Sequence, residues 1–301
     1  MTDVVVGTFT PSVLLDLAGS TGRLAQAGIA ATPVPVSSSP AQFRSLVEGG
    51  HDVAMTSPDN VLAYRFSPSN PLGAVADVRI VSAVDRGMGL GLYARPGLGA
   101  EDLRGAVVGV DVPTSGFALA LYALLESYGL TRDDYELTGL GATPRRLEAL
   151  LDGSCDVTML NAGNELVAEQ RGCARLAGVL DACAPYLGTV LAVAGDRRLP
   201  EALALAAALS DTAAAVVSGE LAAQAREAAS RLLPLDDELA ERYLARMQDP
   251  DEGLVPDGRA DHSSLATLVG LRQRYLPELV DGVEVLDGAL ATNSGLVLPF
   301  P

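Results

Sequence analysis

Histidine is scarce in this 301-residue chain, and neither His51 nor His262 stands in a catalytic pattern, since GxSxG, HExxH and CxxC are all absent. Three cysteines, Cys155, Cys173 and Cys183, lack metal-ligand spacing, and their odd number leaves no complete set of disulfides. They are expected to be reduced structural thiols. No cluster of basic residues offsets a formal charge of −17, so phosphate backbones and anionic membranes would be repelled and nucleic acid is excluded as a partner. No apolar run reaches the ~20 residues needed to span a bilayer, so membrane insertion is not expected. The opening MTDVVVGTFTPS enters a strand without the basic, apolar and small-residue regions of a secretory leader. The expectation is a cytoplasmic protein as written, or a periplasmic or extracellular one if a leader precedes it. DPDEGLVPD lacks the acidic spacing of an EF-hand, and GLGLYARPG does not open a helix after a strand as a dinucleotide fingerprint must. Neither metal nor cofactor is expected.

What is present is a sentence written twice. SPAQFRSLVEGGHDVAMTSPDN (39–60) aligns without a gap on TPRRLEALLDGSCDVTMLNAGN (143–164), pairing Pro40 with Pro144, Leu46 with Leu150, Gly49 with Gly153, Asp52 with Asp156, Val53 with Val157, Met55 with Met159 and Asn60 with Asn164. Each copy reads as a Ser or Thr start with Pro in the first turn, a helix stopped at Gly, a short apolar strand, then a polar turn opening another helix. A fainter echo joins VVVGTFTPS (4–12) to VVGVDVPTS (107–115). A whole lobe has been duplicated, in too few copies for a solenoid.

The remaining pattern alternates. Strands are predicted near 3–9, 29–36, 52–56, 78–84, 88–94, 106–111, 134–139, 156–160, 176–180 and 188–194, with helices near 11–26, 40–49, 58–65, 114–128, 143–152 and 163–171. From 199 onward the chain reads as helical, closing with a helix over 263–280. This is an α/β protein with two mostly parallel sheets joined by two crossing strands, 88–94 and 188–195, and a helical C-terminal tail. Lobe one is expected to hold 1–86 plus 193–301, and lobe two 87–192.

DLRG, VGV, SGFAL and GLT, in that order within 102–137, together with the early strand and helix and the tail, make the chain resemble a type II periplasmic-binding-protein fold. Within that group it is similar to the solute-binding proteins of sulfonate, taurine and nitrate ABC transporters and to thiamine-pyrimidine-synthase relatives, whose cysteine-rich motif it lacks. The resemblance implies one small organic ligand, and an ABC permease as partner if the protein is exported. Chorismate dehydratase and dihydroxyphthalate decarboxylase are enzymes on the same superfold, so a lyase, dehydratase or decarboxylase acting on a small aromatic or carboxylated metabolite is the alternative. An interaction subunit is a third class.

In open α/β sheets ligands sit beyond the carboxyl ends of the strands, so the repeat is expected to be a cleft written once per wall. Lobe one would offer Thr8, Phe9 and Thr10, then Ser37, Ser38 and Ser39, then Thr56, Ser57, Asp59 and Asn60. Lobe two would offer Thr114 and Ser115 with Pro113 and Gly116, then Asn161, Asn164 and Glu165. The serines and threonines serve equally as helix caps in the competing reading, and Asp59 there satisfies a helix dipole. Arg86 and Tyr186 flank the crossings, where Arg86 either joins the lobes or grips a ligand and Tyr186 either stacks on one or packs the hinge. Tyr64 is expected in the core. With no histidine in place, any acid/base chemistry would fall to Asp59, Asp85 or Glu165.

Overall fold

A computed structural model describes residues 1–299; residues 300 and 301, at the end of the tail assigned to lobe one, lie outside the described residues. The first lobe runs β1 (Thr2–Thr8), α1 (Val13–Ser20), α2 (Arg23–Gln26), β2 (Ile29–Pro35), α3 (Ser39–Glu48), β3 (Val53–Thr56), α4 (Pro58–Phe66) and β4 (Val78–Asp85). The second runs β5 (Gly91–Ala94), β6 (Val107–Val110), α5 (Gly116–Ser127), β7 (Glu136–Gly139), α6 (Thr143–Asp152), β8 (Val157–Leu160), α7 (Asn164–Gln170), β9 (Ala174–Gly178) and α8 (Leu180–Cys183). Then β10 (Thr189–Ala194) returns, and a tail follows of α9 (Leu199–Val217), α10 (Ala222–Leu232), α11 (Asp237–Gln248), α12 (His262–Tyr275) and a hairpin of β11 (Leu279–Val280) and β12 (Val283–Glu284).

The duplication is visible strand for strand. One sheet has the order β2-β1-β3-β10-β4 and the other β7-β6-β8-β5-β9, so each strand of lobe one has its counterpart in the same slot of lobe two. The helices of the repeat keep the alignment: α3 stops at Gly49 with φ 86° and α6 at Gly153 with φ 81°, the left-handed cap that glycine adopts without a Cβ penalty. The sheets were expected to be mostly parallel. In each, four of the five strands run the same way, as expected, and only the strand entering from the other lobe, β10 or β5, is antiparallel to its neighbours. The reason lies in the crossing: the strand arriving from the other lobe runs against its new neighbours.

Consequently neither 88–94 nor 188–195 is itself the bridge between lobes. β5 belongs wholly to the second sheet and β10 wholly to the first, and the chain crosses in the segments 86–90 and 184–188. Lobe two therefore ends before Thr189 and not at 192. The two crossings touch: the Gly188 amide donates to the Asp85 carbonyl at 2.9 Å, and a Cβ on Gly188 would lie 2.5 Å from the Gly87 Cα. Only glycine permits that approach.

The long helix expected over 11–26 is broken at Gly22, whose φ of 78° is incompatible with continuing the helix. The final helix stops at Tyr275, because Pro277 cannot extend it, and a hairpin occupies the rest of the predicted span. The tail was assigned to lobe one, yet it braces both lobes. α9 and α10 pack on α1, while α11 also meets α7 and α12 lies against both α4 and α5. Arg274 of α12 pairs with Glu126 of α5, and Arg242 of α11 with Glu169 of α7. α9 is long and apolar enough to cross a membrane by length and composition. Here it turns Ala202, Leu205, Ala206, Leu209, Ala213 and Val216 into the core of lobe one, each buried leucine or valine contributing about 1.5–3 kcal/mol. The free edge of β4 is covered by backbone bonds from 255–258 and 296–298, which removes an edge open to pairing.

Candidate functional site

The turns after β1, β3, β6 and β8 lead into helices; hydroxyls cap the first three, as Ser38 caps α3 after β2, while α7 after β8 starts at Gly163 without a side-chain cap. Ser12 accepts from the Leu15 amide at 3.2 Å, Ser38 from Ala41 at 3.4 Å, Ser57 from Asp59 at 3.3 Å and Ser115 from Ala118 at 3.2 Å. These turns face one another across a cavity of about 120 Å³ between the lobes. Of the residues expected there, Thr8, Phe9, Thr10, Thr56, Ser57 and Asn60 line it from lobe one, and Ser115 and Asn161 from lobe two. Asp85 lines it at the hinge. Asn60 donates to the Thr56 hydroxyl at 3.0 Å, and Asn161 to the Gly87 carbonyl at 3.1 Å, which ties the second-lobe turn to the first crossing.

The others have different work. Asp59 is turned away from the cavity and pairs with Arg272 at 2.8 Å, the side chains being 1% and 8% exposed. Burial pushes its carboxyl up, against the opposing pull of Arg272. Arg86 pairs with Asp261 at 3.1 Å, within its own lobe and tail. Asn164 donates to the Asn161 carbonyl at 3.0 Å and so holds the turn. Tyr186 is buried in the core beside the return crossing. Glu165 is buried behind the cavity wall, with one oxygen accepting the Gly163 amide hydrogen at 2.7 Å and the other without a partner among the described residues; burial raises its pKa to about 8. Ser38 lines neither cavity. Ser39 and Thr114 line a second cavity of about 320 Å³ under α12, which shares Asn60 and Ser115 with the first. Of the three carboxylates considered for acid/base chemistry, only Asp85 reaches the cleft.

Several lining residues were not anticipated. Arg146, 2% exposed, occupies the aligned position of Gln42 and does the same job. Gln42 ties α3 to the Gly7 and Met55 carbonyls at 2.9 and 3.0 Å, and Arg146 ties α6 to the Met159 carbonyl at 3.2 Å and the Gly141 carbonyl at 2.7 Å. The repeat held that signal, because both residues fall on the core-facing side of the same helix. Burial lowers the Arg146 pKa, and the nearby Asp111 carboxylate acts against the shift. Asp111 also accepts from Ser115. Tyr243 and Met247, one turn apart on α11, close the hinge side with Met55, Met88 and Leu254. Nothing in the tail distinguished these two from ordinary core residues.

The lobes meet around this cavity. A Cβ on Gly116, at the start of α5, would lie 2.5 Å from the Asp59 Cβ, and one on Gly141 would lie 3.1 Å from the Ser37 carbonyl oxygen. The two walls are therefore shut against each other at two points beside the cavity.

No family model matches the chain, and no curated protein matches it. Solved structures do. The nitrate-binding protein NrtA from Synechocystis PCC 6803 superposes with a TM-score of 0.76 at 14% identity, over 94% of this chain and 84% of that one. The alkanesulfonate-binding protein SsuA from Xanthomonas axonopodis pv. citri, bound to MOPS, gives 0.72 at 17% identity over 92% and 95%. A ligand-binding component of an ABC-type import system from Staphylococcus aureus, with zinc bound, gives 0.72 at 14% over 91% and 92%. The chain has the two-lobed periplasmic-binding-protein fold that the sequence resemblance implied.

Proposed function

We propose that the protein captures one small organic molecule in the cleft between its lobes and closes on it by hinge motion. The observation that carries this reading is the shut cavity, which takes its lining from both lobes and lies where Gly116 meets Asp59 and Gly141 meets Ser37. A ligand that touches both walls only in the shut state favours that state by the difference in contact. The crossings at 86–90 and 184–188 are the hinge, and the fold is one that neighbouring structures use as ligand-binding components of import systems. On this reading the protein hands its ligand to a permease where it is exported.

Native mass spectrometry on gently purified protein, with the released molecule identified, tests the proposal. A stoichiometric small molecule recovered unchanged after incubation is the expected result. Recovery of a transformed product would move the protein to the lyase or decarboxylase class. A clean apo mass that persists after cell extract is added back would reject ligand capture and favour an interaction subunit.

A further inference from the structure

The charges in the cleft are unequal, and the inequality points to a ligand class. Three charged side chains line it, the cation Arg146 and the acids Asp111 and Asp85. The guanidinium of Arg146 is already engaged, donating to the Met159 and Gly141 carbonyls and to the Thr143 hydroxyl at 3.0 Å, and the Asp111 carboxylate balances its charge. The repeat makes the same point. In strand register lobe one has the neutral Phe9 and Gln42 where lobe two has Asp111 and Arg146, so the two charges of lobe two occur together as a compensated couple.

Asp85 is the remainder. It is 7% exposed, and no cation pairs with it among the described residues. Its neighbours are neutral donors: the Gly87 amide at 2.8 Å and the Thr189 hydroxyl. Burial raises its pKa to about 6, against the opposing pull of these two donors. Around it the cavity is apolar and soft. Three of the chain's five methionines, Met55, Met88 and Met247, line it with Tyr243. Burial, then Glu165, then Asp85 raise the Tyr243 phenol, so the ring stands within the field of the Asp85 carboxylate. A carboxylate beside an aromatic ring and polarisable thioethers suits an ammonium group carrying a hydrocarbon body. The overall charge of −17 would draw such a ligand in and repel an anion.

We infer that the cleft ligand is an organic cation, its ammonium group held by Asp85 at the hinge and its apolar body lodged among Met55, Met88, Met247 and Tyr243. This rests on the cleft-capture reading and assigns a charge to its ligand. It also sets the protein apart from neighbours named for nitrate and sulfonates.

The test is calorimetric titration of the whole protein at neutral pH with hexylammonium, 1-hexanol and hexanoate, which share one alkyl body. Hexylammonium should bind at least about tenfold more tightly than hexanoate. Asp85→Asn should lower it to the level of the alcohol, and Glu126→Gln, which removes an acid outside the cleft, should leave the order of the three unchanged. Should Asp85→Asn fail to fold, the order in the wild-type protein decides alone. Hexanoate or hexanol binding as tightly as the amine, or an amine preference that survives Asp85→Asn, would overturn the inference while leaving cleft capture standing. If none of the three binds, the charge of the molecule released in native mass spectrometry decides: a cation supports the assignment, and an anion or neutral molecule overturns it. Only the persistent absence of any released molecule would remove cleft capture itself.

Discussion

The two lobes share a plan and differ in where they keep buried charge. At matching positions lobe one has Phe9, Gln42, Asp59 and Val61, and lobe two has Asp111, Arg146, Gly163 and Glu165. Lobe one's single buried acid of the set is neutralised from outside, by Arg272 of the tail. Lobe two balances Arg146 with Asp111 internally and leaves Glu165 uncompensated in a place where lobe one buries a valine. The comparison separates what the fold requires from what was added. A helix tied to a strand-end carbonyl is required, and glutamine suffices for it. The charges are additions, and burial without a partner is costly, which is why the pKa of Glu165 is pushed up to about 8.

Removing the partner from outside should have the largest effect. Arg272→Met leaves Asp59 buried and alone, and should cost about 3–5 kcal/mol in urea unfolding, most of it recovered by adding Asp59→Asn. Next comes pH. Asp85 and Glu165 have folded pKa values of about 6 and about 8, above their ordinary values of 3.8 and 4.5. The folded state therefore holds protons that the unfolded state has released, so stability should fall as pH rises from about 4, more steeply up to about 6 where both groups contribute, then on Glu165 alone to about 8, and level off above that. Glu165→Gln should abolish the upper part of that loss in a series of thermal melts, and a slope unchanged by the substitution would remove Glu165 as its source. A smaller effect is expected where lobe two is made to resemble lobe one. Arg146→Gln retains the link to the Met159 carbonyl but deprives Asp111 of its balancing charge, and should cost about 1–3 kcal/mol. Ser38→Ala, which removes a single cap in lobe one, should cost about 1 kcal/mol.

The fold was legible because duplication supplied its own control. Ten strands were predicted and ten are found in the two sheets, since short apolar runs between glycine stops recur at a constant offset. The mostly parallel sense was legible from the alternation of elements, but the reversed direction of β5 and β10 was not, because periodicity carries no information about which neighbour a returning strand will meet. The break at Gly22 was missed because apolar spacing continues across it. At the site, residues on the turns were readable from the strand-to-helix pattern, as Thr8, Thr56, Asn60, Ser115 and Asn161 show. Asp59 sits on the same turn as Asn60, one step around the helix, and only the position of α12 decides that it faces Arg272. Tyr243 and Met247 come from a tail helix well beyond both repeats in the chain, and their packing beside the hinge depends on tertiary structure alone.

The hinge account is tested most directly by small-angle X-ray scattering. Protein stripped of its bound molecule by partial unfolding and dialysis would be measured before and after that molecule is returned, in the wild-type chain and in Gly116→Leu, whose side chain would stand between α5 and Asp59. The account predicts that the wild-type protein contracts when the molecule is added, while the wedged variant stays expanded and binds at least about tenfold more weakly. A wild-type radius of gyration that does not change at saturation, or a wedged variant that binds and contracts as the wild type does, would contradict it.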